Sequence, residues 1–346
     1  MSLRVDLEVP ESALRTHVPA VADSAAGTGD ELVVTTRAMA TEVTVRVALG
    51  DVRAAPEELR RAAGRALEVF HVVERACTRF DPTSPLMRAN AAPGRWHRVP
   101  PALFAAVEEA HRAYEQTSGR FDPRVLRDLR VLGYDRTLPF ASGDAQVVRP
   151  GQPSARRQRS GSWRPRFHHA AGELHLGGEP IDLGGIGKGL AVRWASAALA
   201  AVAPDHLVEA GGDCHCAGSG PGAGRWMVAV EDPFGSATPV AVLALADRAA
   251  TTSSIRLRRW KLNGRPVHHL IDPRSGRPGG DGLVAVTVVG ADPATAEVWS
   301  KVLFVSGRRR IADEARRRAV TALWVDVDGV QWTSPGMERY VTWRRP

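Results

Sequence analysis

The chain has 346 residues, 44% of them hydrophobic and 24% charged, which is typical of a globular protein with one large domain or two ordinary ones. No run approaches the roughly 18 apolar residues of a membrane-spanning helix, so no membrane span is predicted. The formal net charge is +8, but only three of the 46 basic residues are lysine, and the arginines are spread over predicted helices and loops, which favours a solvated surface over a nucleic-acid site.

The amino-terminal segment, residues 1–30, is rich in Ala, Ser and Gly and has no basic start followed by an apolar core. It predicts a mobile leader rather than a signal peptide. Cys77, Cys214 and Cys216 cannot form a disulfide framework, which favours a reducing cytoplasm. Cys214 and Cys216 flank a histidine, but without a second cysteine pair their spacing does not predict zinc.

The predicted elements begin with an alternating strand, "ATEVTVRVAL", and two amphipathic helices, "APEELRRAAGRALEVFHVVERACTRF" and "PPALFAAVEEAHRAYEQTSG". Residues 139–162 are rich in Pro, Gly, Ser and Arg and predict an insertion loop. Short strands follow, interrupted by the helices "GLAVRWASAALAAVAP" and "ATAEVWSKVLFVSG". Because helices interrupt the strands irregularly, we predict an α+β fold with mixed, largely antiparallel sheets and flanking helices.

A glycine-rich loop, "DLGGIGKGLA", precedes one of these helices at Asp182–Ala191. Backbone N–H groups and the positive end of a helix suit a phosphate group. The loop is not a P-loop, because Gly189 stands where that motif has Ser or Thr. The alternative is a tight turn with a surface lysine.

The segment "VHHLIDPRSGRP" contains candidates for acid–base chemistry. Strand alternation places His268 and His269 on opposite faces. Asp272 lies three residues beyond His269, and a histidine near a carboxylate can act as an oriented general base. The alternative is that Asp272 starts an Asx-turn and His269 is merely packed.

Glu297 and Lys301 stand four residues apart on the helix "ATAEVWSKVLFVSG". On an exposed helix such a pair contributes about 0.3–0.5 kcal/mol. Where arginine is the usual cation, a retained lysine hints at a need for a compact ammonium group.

Taken in order, the motifs of this chain resemble those of the ApbE family, the FAD:protein FMN transferases. The resemblance covers roughly residues 31 to 330 and rests on "MATEV", "RFDPTSPLMRAN", "SGRFDP", "IDLGGIGKGLA", "EAGGD", "TTSS" and "HHLIDPRSGRP". "LGYDR" and "RLRRW" resemble a divergent actinobacterial branch. The resemblance implies an ApbE-like FAD-binding transferase domain over residues 31–346.

The resemblance implies that the protein binds FAD and uses Mg²⁺. It would transfer the FMN half of FAD to a Thr or Ser hydroxyl of an acceptor protein and release AMP. Two alternatives are a non-catalytic FAD-binding protein with a degenerate metal site and a hydrolase that splits FAD into FMN and AMP. The expected partners are FAD and the acceptor protein, without nucleic acid.

The resemblance also implies roles for individual residues. His269 would be catalytic, with Asp272 holding its turn. The FAD site would include Met39, Phe80, Arg120, Phe121, Asp122, Asp182, Lys188, Gly211, Gly212, Asp213, Thr252, Ser253, Leu270 and Lys301.

The metal site is where the chain departs from the family. Gly185, through its carbonyl, and Glu297 would be the metal ligands, but Lys301 replaces a threonine ligand. An ammonium group cannot bind Mg²⁺, which requires oxygen ligands. Either Lys301 replaces the cation beside the diphosphate, or the protein only binds FAD. Arg193, where the family often has Asp, is a second departure.

Overall fold

The structure, a computed structural model, describes residues 30–50, 52, 54–140, 145–148 and 161–346. All of the predicted leader except residue 30, and most of the predicted insertion at 139–162, therefore lie outside the described residues. The helices are α1 (Pro56–Cys77), α2 (Pro85–Ala91), α3 (Pro101–Gln116), α4 (Leu126–Val131), α5 (Gly187–Leu199), α6 (Pro293–Ser306) and α7 (Ile311–Arg317).

The strands are mostly short. They are β1 (Glu31–Ala38), β2 (Thr41–Ala48), β3 (Trp96–Arg98), β4 (Gln146–Val147), β5 (Arg166–His168), β6 (Glu173–His175), β7 (His206–Ala210), β8 (Asp213–Ala217), β9 (Trp226–Val230), β10 (Ala241–Leu245), β11 (Arg248–Ser254), β12 (Arg259–Leu262), β13 (Arg265–His268), β14 (Ile271–Asp272), β15 (Arg277–Pro278), β16 (Leu283–Gly290), β17 (Thr321–Asp326), β18 (Gln331–Thr333) and β19 (Val341–Arg344).

Eight strands form the main sheet in the order β1-β2-β7-β8-β11-β16-β17-β18, and every neighbouring pair is antiparallel. In the described residues, four small sheets accompany it, β19-β10-β9, β13-β12-β4, β14-β15 and β3-β6-β5. Only β4 and β12 pair in parallel within the described parts of the chain. The predicted α+β fold with largely antiparallel sheets is thus confirmed.

The main sheet buries both of its faces. On one face, β2 and β7 pack against α1 and α5 through residues such as Val43 and Phe70, and β16 packs against α6 through Leu303. On the other face, the sheet β19-β10-β9 covers β8, and Cys214 and Cys216 are buried there as small apolar side chains. None of the helices in the described ranges has both the length and the apolar character of a membrane-spanning segment.

Helices α5 and α6 meet very closely where the glycine-rich loop enters α5. A Cβ atom at Gly189 would lie 2.6 Å from the carbonyl oxygen of Pro293 and 2.7 Å from Cα of Ala294. Arg193 fastens the same contact, because it pairs with both carboxylate oxygens of Asp292, the residue that caps α6, at 2.6 Å. Arg193, the second departure from the ApbE pattern, therefore has a structural partner.

We expect Gly189→Ala to destabilise the protein by about 2 kcal/mol, because the methyl group forces the backbones of α5 and α6 apart. Gly64→Ala is the matched control, since nothing lies within 4 Å of a Cβ atom at this position in α1. The control should be stabilised by up to about 1 kcal/mol, the helix-propensity difference. Urea unfolding measures both. Equal stability of the two variants would contradict the close packing of α5 on α6.

Candidate active site

The glycine-rich loop is closed by the carboxylate of Asp182. Its Oδ1 accepts the N–H of Gly184 at 2.9 Å, and its Oδ2 pairs with Nε of Arg79 at 3.0 Å. Its own N–H donates to the carbonyl of Pro123 at 2.7 Å. The loop is thereby held so that it leads directly into α5, whose amino-terminal end carries a partial positive charge.

Lys188, in the first turn of α5, forms an ion pair with Asp213 at the start of β8. Asp213 is buried, and its Oδ1 accepts the N–H of Thr252 on the neighbouring strand β11 at 3.1 Å. The same N–H lies 3.1 Å from the carbonyl of Gly212. The structure thus brings together four residues that the sequence predicted for one site.

The charge on Lys188 is finely balanced. Burial lowers the pKa of Lys188 to about 7, with the positive charges of Lys301 and Arg258 acting in the same direction and Glu297 opposing them. Asp213, in direct contact with its ammonium group, favours the charged form. The site therefore contains five charged groups that influence one another, namely Lys188, Lys301, Arg258, Glu297 and Asp213.

Glu297 on α6 is completely buried and links this helix to α5. Its Oε2 accepts the N–H of Gly189 at 2.8 Å, and its Oε1 pairs with Nζ of Lys301 at 3.0 Å. Burial raises the pKa of Glu297, but Lys301, Lys188 and the Gly189 N–H together lower it by more, so the group is ionised at neutral pH. This pair therefore differs from the exposed helix pair that its spacing alone allows.

These groups do not fit Mg²⁺. Each carboxylate oxygen of Glu297 already accepts a hydrogen bond, and the Lys301 ammonium lies where it would repel a cation. A Cβ atom at Gly185 would lie 3.5 Å from Cδ of Lys301, so the lysine side chain packs beside the loop residue that was predicted to offer its carbonyl. Over the described ranges, no three His, Cys, Asp or Glu side chains form a group that could hold a metal ion.

His269 follows β13, and its Nδ1 lies 3.2 Å from the carbonyl oxygen of Arg258. A carbonyl only accepts hydrogen bonds, so Nδ1 carries the proton and Nε2 keeps a lone pair. Burial, followed by the positive charge of Arg258, lowers the pKa of His269 well below its ordinary value. The ring is therefore neutral at pH 7 and can accept a proton at Nε2.

Asp272 holds a turn and forms no hydrogen bond or ion pair with His269. Its Oδ1 accepts the N–H of Arg274 at 3.0 Å, and its carbonyl accepts the N–H of Gly276 at 2.9 Å. This is the Asx-turn that the sequence left open as an alternative. Leu270, between the two, is buried in the core under α6. The group that orients His269 is thus the Arg258 carbonyl.

Met39 reaches the glycine-rich loop from the turn between β1 and β2. Its Sδ-bound methyl would lie 3.5 Å from a Cβ atom at Gly187, and its N–H donates to Glu74 at 2.9 Å. Met39 and Ala40 both have positive φ, 52° and 59°, as a two-residue hairpin turn requires.

Phe80 is one of the two aromatic residues predicted for the FAD site. It is 41% exposed, and the guanidinium of Arg79 lies 4.2 Å from its ring and 4.0 Å from that of Tyr134. Phe121, in contrast, is buried, with its ring 3.0 Å from a Cβ position at Gly185. Phe121 thus packs against the glycine-rich loop, whereas Phe80 is exposed and lies against Arg79, the residue that pairs with Asp182.

Other predicted residues have local structural partners. Asp122 pairs with Arg124 at 2.9 Å, and Arg120 pairs with Glu314 on α7. Gly211 has positive φ, 57°, in the turn between β7 and β8.

The Oγ of Ser253 lies 2.7 Å from the Oγ of Ser300, which also donates to the carbonyl of Glu297. The two buried serines therefore join β11 to α6.

The ApbE family model matches residues 39–324. The chain belongs to the ApbE family. The predicted family is therefore confirmed, and the matched region contains every predicted site residue.

Relatives and solved structures agree with this membership. The chain is 26% identical over 280 residues to the FAD:protein FMN transferase of Chlamydia trachomatis, covering 78% of this chain and 84% of the relative. It is 26% identical over 254 residues to the FAD:protein FMN transferase of Salmonella typhimurium, covering 70% of this chain and 71% of the relative. An ApbE protein of Thermotoga maritima superposes with a TM-score of 0.74 at 24% identity over 91% of this chain and all of that one. The flavin transferase ApbE of Vibrio cholerae gives 0.68 at 20% identity, covering 90% and 99%.

Sequence motifs of the ApbE family did not point to three polar residues around this site, two of which act through their side chains and one through its carbonyl. Arg79 holds Asp182, Ser300 holds Ser253, and Arg258 orients His269. Arg79 and Arg258 lie inside quoted motifs, "RFDP" and "RLRRW", but nothing in those motifs separates them from the other arginines.

We expect Lys301→Met to destabilise the protein by about 3 kcal/mol, because it leaves the buried Glu297 carboxylate without its nearest countercharge. The double variant Glu297→Gln with Lys301→Met should recover most of this loss, since the amide oxygen can still accept the Gly189 N–H. A double-mutant cycle compares the free energies of unfolding in urea of the wild type, Lys301→Met, Glu297→Gln and the double variant. A cost below about 0.5 kcal/mol for Lys301→Met would instead indicate an exposed ion pair.

Proposed function

We propose that this protein is an FAD:protein FMN transferase, which moves FMN from FAD to a Thr or Ser hydroxyl of an acceptor protein and releases AMP. The observation that carries the proposal is the geometry of His269, whose Nδ1 donates to the Arg258 carbonyl while Nε2 keeps its lone pair, in the same charged cluster as Lys188 at the start of α5 and Lys301 on α6. The names of the curated relatives support the same activity.

Binding of FAD rests on the charge of its diphosphate. The amino-terminal end of α5, Lys188 and Lys301 supply positive charge around the glycine-rich loop, and such a site favours phosphate groups. Because transfer of a phosphoryl group depends mainly on positioning and charge stabilisation, this arrangement suits the reaction.

His269 acts as the general base. Its Nε2 takes the proton of the acceptor hydroxyl, and the hydroxyl oxygen attacks the phosphorus of the FMN half. The bond from that phosphorus to the bridging oxygen breaks, and AMP leaves with the electron pair. The hydrogen bond from Nδ1 to the Arg258 carbonyl keeps the ring in the required tautomer.

Lys301 takes the place of the metal ion. Its ammonium group is fixed by Glu297 next to Gly185, where the family resemblance places Mg²⁺. The remaining predicted FAD-binding residues, including Phe80, Phe121 and Thr252, hold the rest of the molecule. The available base on His269 favours an enzyme over a protein that only binds FAD, and the relatives favour a protein acceptor over water.

A cytoplasmic location forms part of the proposal. Cys77, Cys214 and Cys216 all carry free thiols, which supports a reducing compartment.

The decisive experiment incubates the purified protein with FAD and a threonine-bearing acceptor domain that was produced without a flavin transferase. We expect covalent FMN on the acceptor, measured by intact mass, together with stoichiometric AMP. An acceptor with the threonine changed to alanine and a His269→Ala enzyme are the controls. FAD binding without FMN transfer or AMP release would contradict the proposal, and AMP release without acceptor labelling would indicate a hydrolase.

Transfer should not depend on Mg²⁺, because Lys301 already supplies the cation. We expect the rate in EDTA to stay within about twofold of the rate in Mg²⁺, whereas removal of an essential metal typically costs several kcal/mol of transition-state stabilisation. The double variant Glu297→Asp with Lys301→Thr, which restores two oxygen ligands, should become dependent on Mg²⁺. Wild-type activity that disappears in EDTA would contradict the role of Lys301 but not the transferase itself.

The pH profile should reflect the lowered pKa of His269. The neutral ring is the active form, so protonation at low pH abolishes transfer, and because burial lowers the pKa of His269 this loss of kcat/KM should occur only below pH 6.5. A change near pH 7 belongs to Lys188, whose pKa burial lowers to about 7 and whose charge increases as the pH falls. His97→Asn is the control, because the ring of His97 on β3 contacts the carbonyl of Ala92 and is not among the groups that shift the pKa of His269. An acidic limb centred at or above pH 6.5 would show that His269 is not this base.

A further inference from the structure

Arg258 lies directly opposite His269 in the structure. It precedes β12, and its carbonyl accepts both the N–H of His269, at 3.4 Å, and Nδ1 of the same residue, at 3.2 Å. Strands β12 and β13 pair Arg259 with His268. Arg258 and His269 therefore form the next pair along this antiparallel ladder.

Side chains of directly opposed residues in a ladder project on the same face of the sheet. The Arg258 side chain is thus on the face of His269, and the Arg259 side chain is on the opposite face. Arg258 is half-buried, and Arg259 is exposed. The positive charge of Arg258 lowers the pKa of both His269 and Lys188, so its guanidinium is within electrostatic range of the base and of the first turn of α5.

The guanidinium of Arg258 has no carboxylate partner. Throughout the described ranges, no hydrogen bond or ion pair joins it to another residue, whereas the nearby Arg256 pairs with Glu231 at 2.9 Å. The two lysines of the site are each matched, Lys188 by Asp213 and Lys301 by Glu297. The cluster therefore has an unmatched positive charge at Arg258.

An unmatched, half-buried guanidinium is suited to an anion that enters the site. Its planar array of N–H donors matches the non-bridging oxygens of a phosphoryl group. The position of Arg258 beside His269 indicates which phosphoryl group of FAD it would bind. A base that takes the proton of the attacking hydroxyl must lie close to the phosphorus under attack.

We propose that Arg258 is a further catalytic residue, whose guanidinium binds the non-bridging oxygens of the phosphoryl group that the acceptor hydroxyl attacks. This proposal rests on the transferase function proposed above. Arg258 neither gives nor takes a proton. It stabilises the charge on that phosphoryl group while one P–O bond forms and the P–O bond to AMP breaks, and the proton remains on His269.

The test compares Arg258→Gln, Arg258→Lys and Arg259→Gln with the wild-type protein. Calorimetry in metal-free buffer measures binding of inorganic pyrophosphate, a probe that requires no acceptor. Mass spectrometry measures the rate of FMN transfer to the threonine-bearing acceptor domain. The contact with His269 involves the main chain of Arg258, so these variants keep it.

We expect Arg258→Gln to weaken pyrophosphate binding at least about tenfold, the loss of one charge-assisted contact, and to lower kcat about 100-fold. Arg258→Lys should recover part of both losses, since it keeps the charge but not the planar fork. Arg259→Gln should match the wild type within about twofold, because its side chain is on the opposite face.

Three results would overturn the proposal. They are wild-type binding of pyrophosphate by Arg258→Gln, an equal loss in Arg259→Gln, and the absence of pyrophosphate binding by the wild type. If Arg258→Gln transfers FMN more slowly but binds pyrophosphate as the wild type does, the proposal is also overturned. The guanidinium would then bind an acidic group of the acceptor protein instead of the phosphoryl group. If the wild type binds pyrophosphate but transfers no FMN, the proposed function fails while the binding comparison still decides the role of Arg258 as an anion ligand.

Discussion

The buried carboxylate of Glu297 is the constraint on which the site depends. A charge with no exposure to water is stable only where donors and countercharges surround it, and here the Gly189 N–H and the Lys301 ammonium each take one oxygen. These contacts fix α6 against the start of α5. The glycine-rich loop, Lys188 and Lys301 consequently keep one arrangement relative to each other.

The class of fold could be predicted from the sequence, because alternating strands and irregularly placed helices are local patterns. The order of strands in the main sheet could not, since β11 lies between β8 and β16 through contacts that are distant in the chain. The spacing of Glu297 and Lys301 was equally ambiguous. It fits an exposed helix pair, and only the packing of α5 over α6 shows that the glutamate is buried.

Much of the candidate site could also be predicted, but as residues rather than as contacts. Motifs identified Asp182, Lys188, Asp213 and Thr252, and the structure places the last three in direct contact. Arg258 was not predicted. In a chain with so many arginines, its importance arises from its register opposite His269 and from the missing partner of its guanidinium, and both are properties of the tertiary structure.

The pairing of Lys301 with Glu297 on α6 also affects how the site depends on the ions in solution. A bound metal ion exchanges with solvent, so the number of active molecules follows the concentration of that ion and can be reduced by competing chelators such as nucleotides. A side chain is present once in every folded copy. The charge beside Gly185 therefore does not depend on the concentration of divalent cations around the protein.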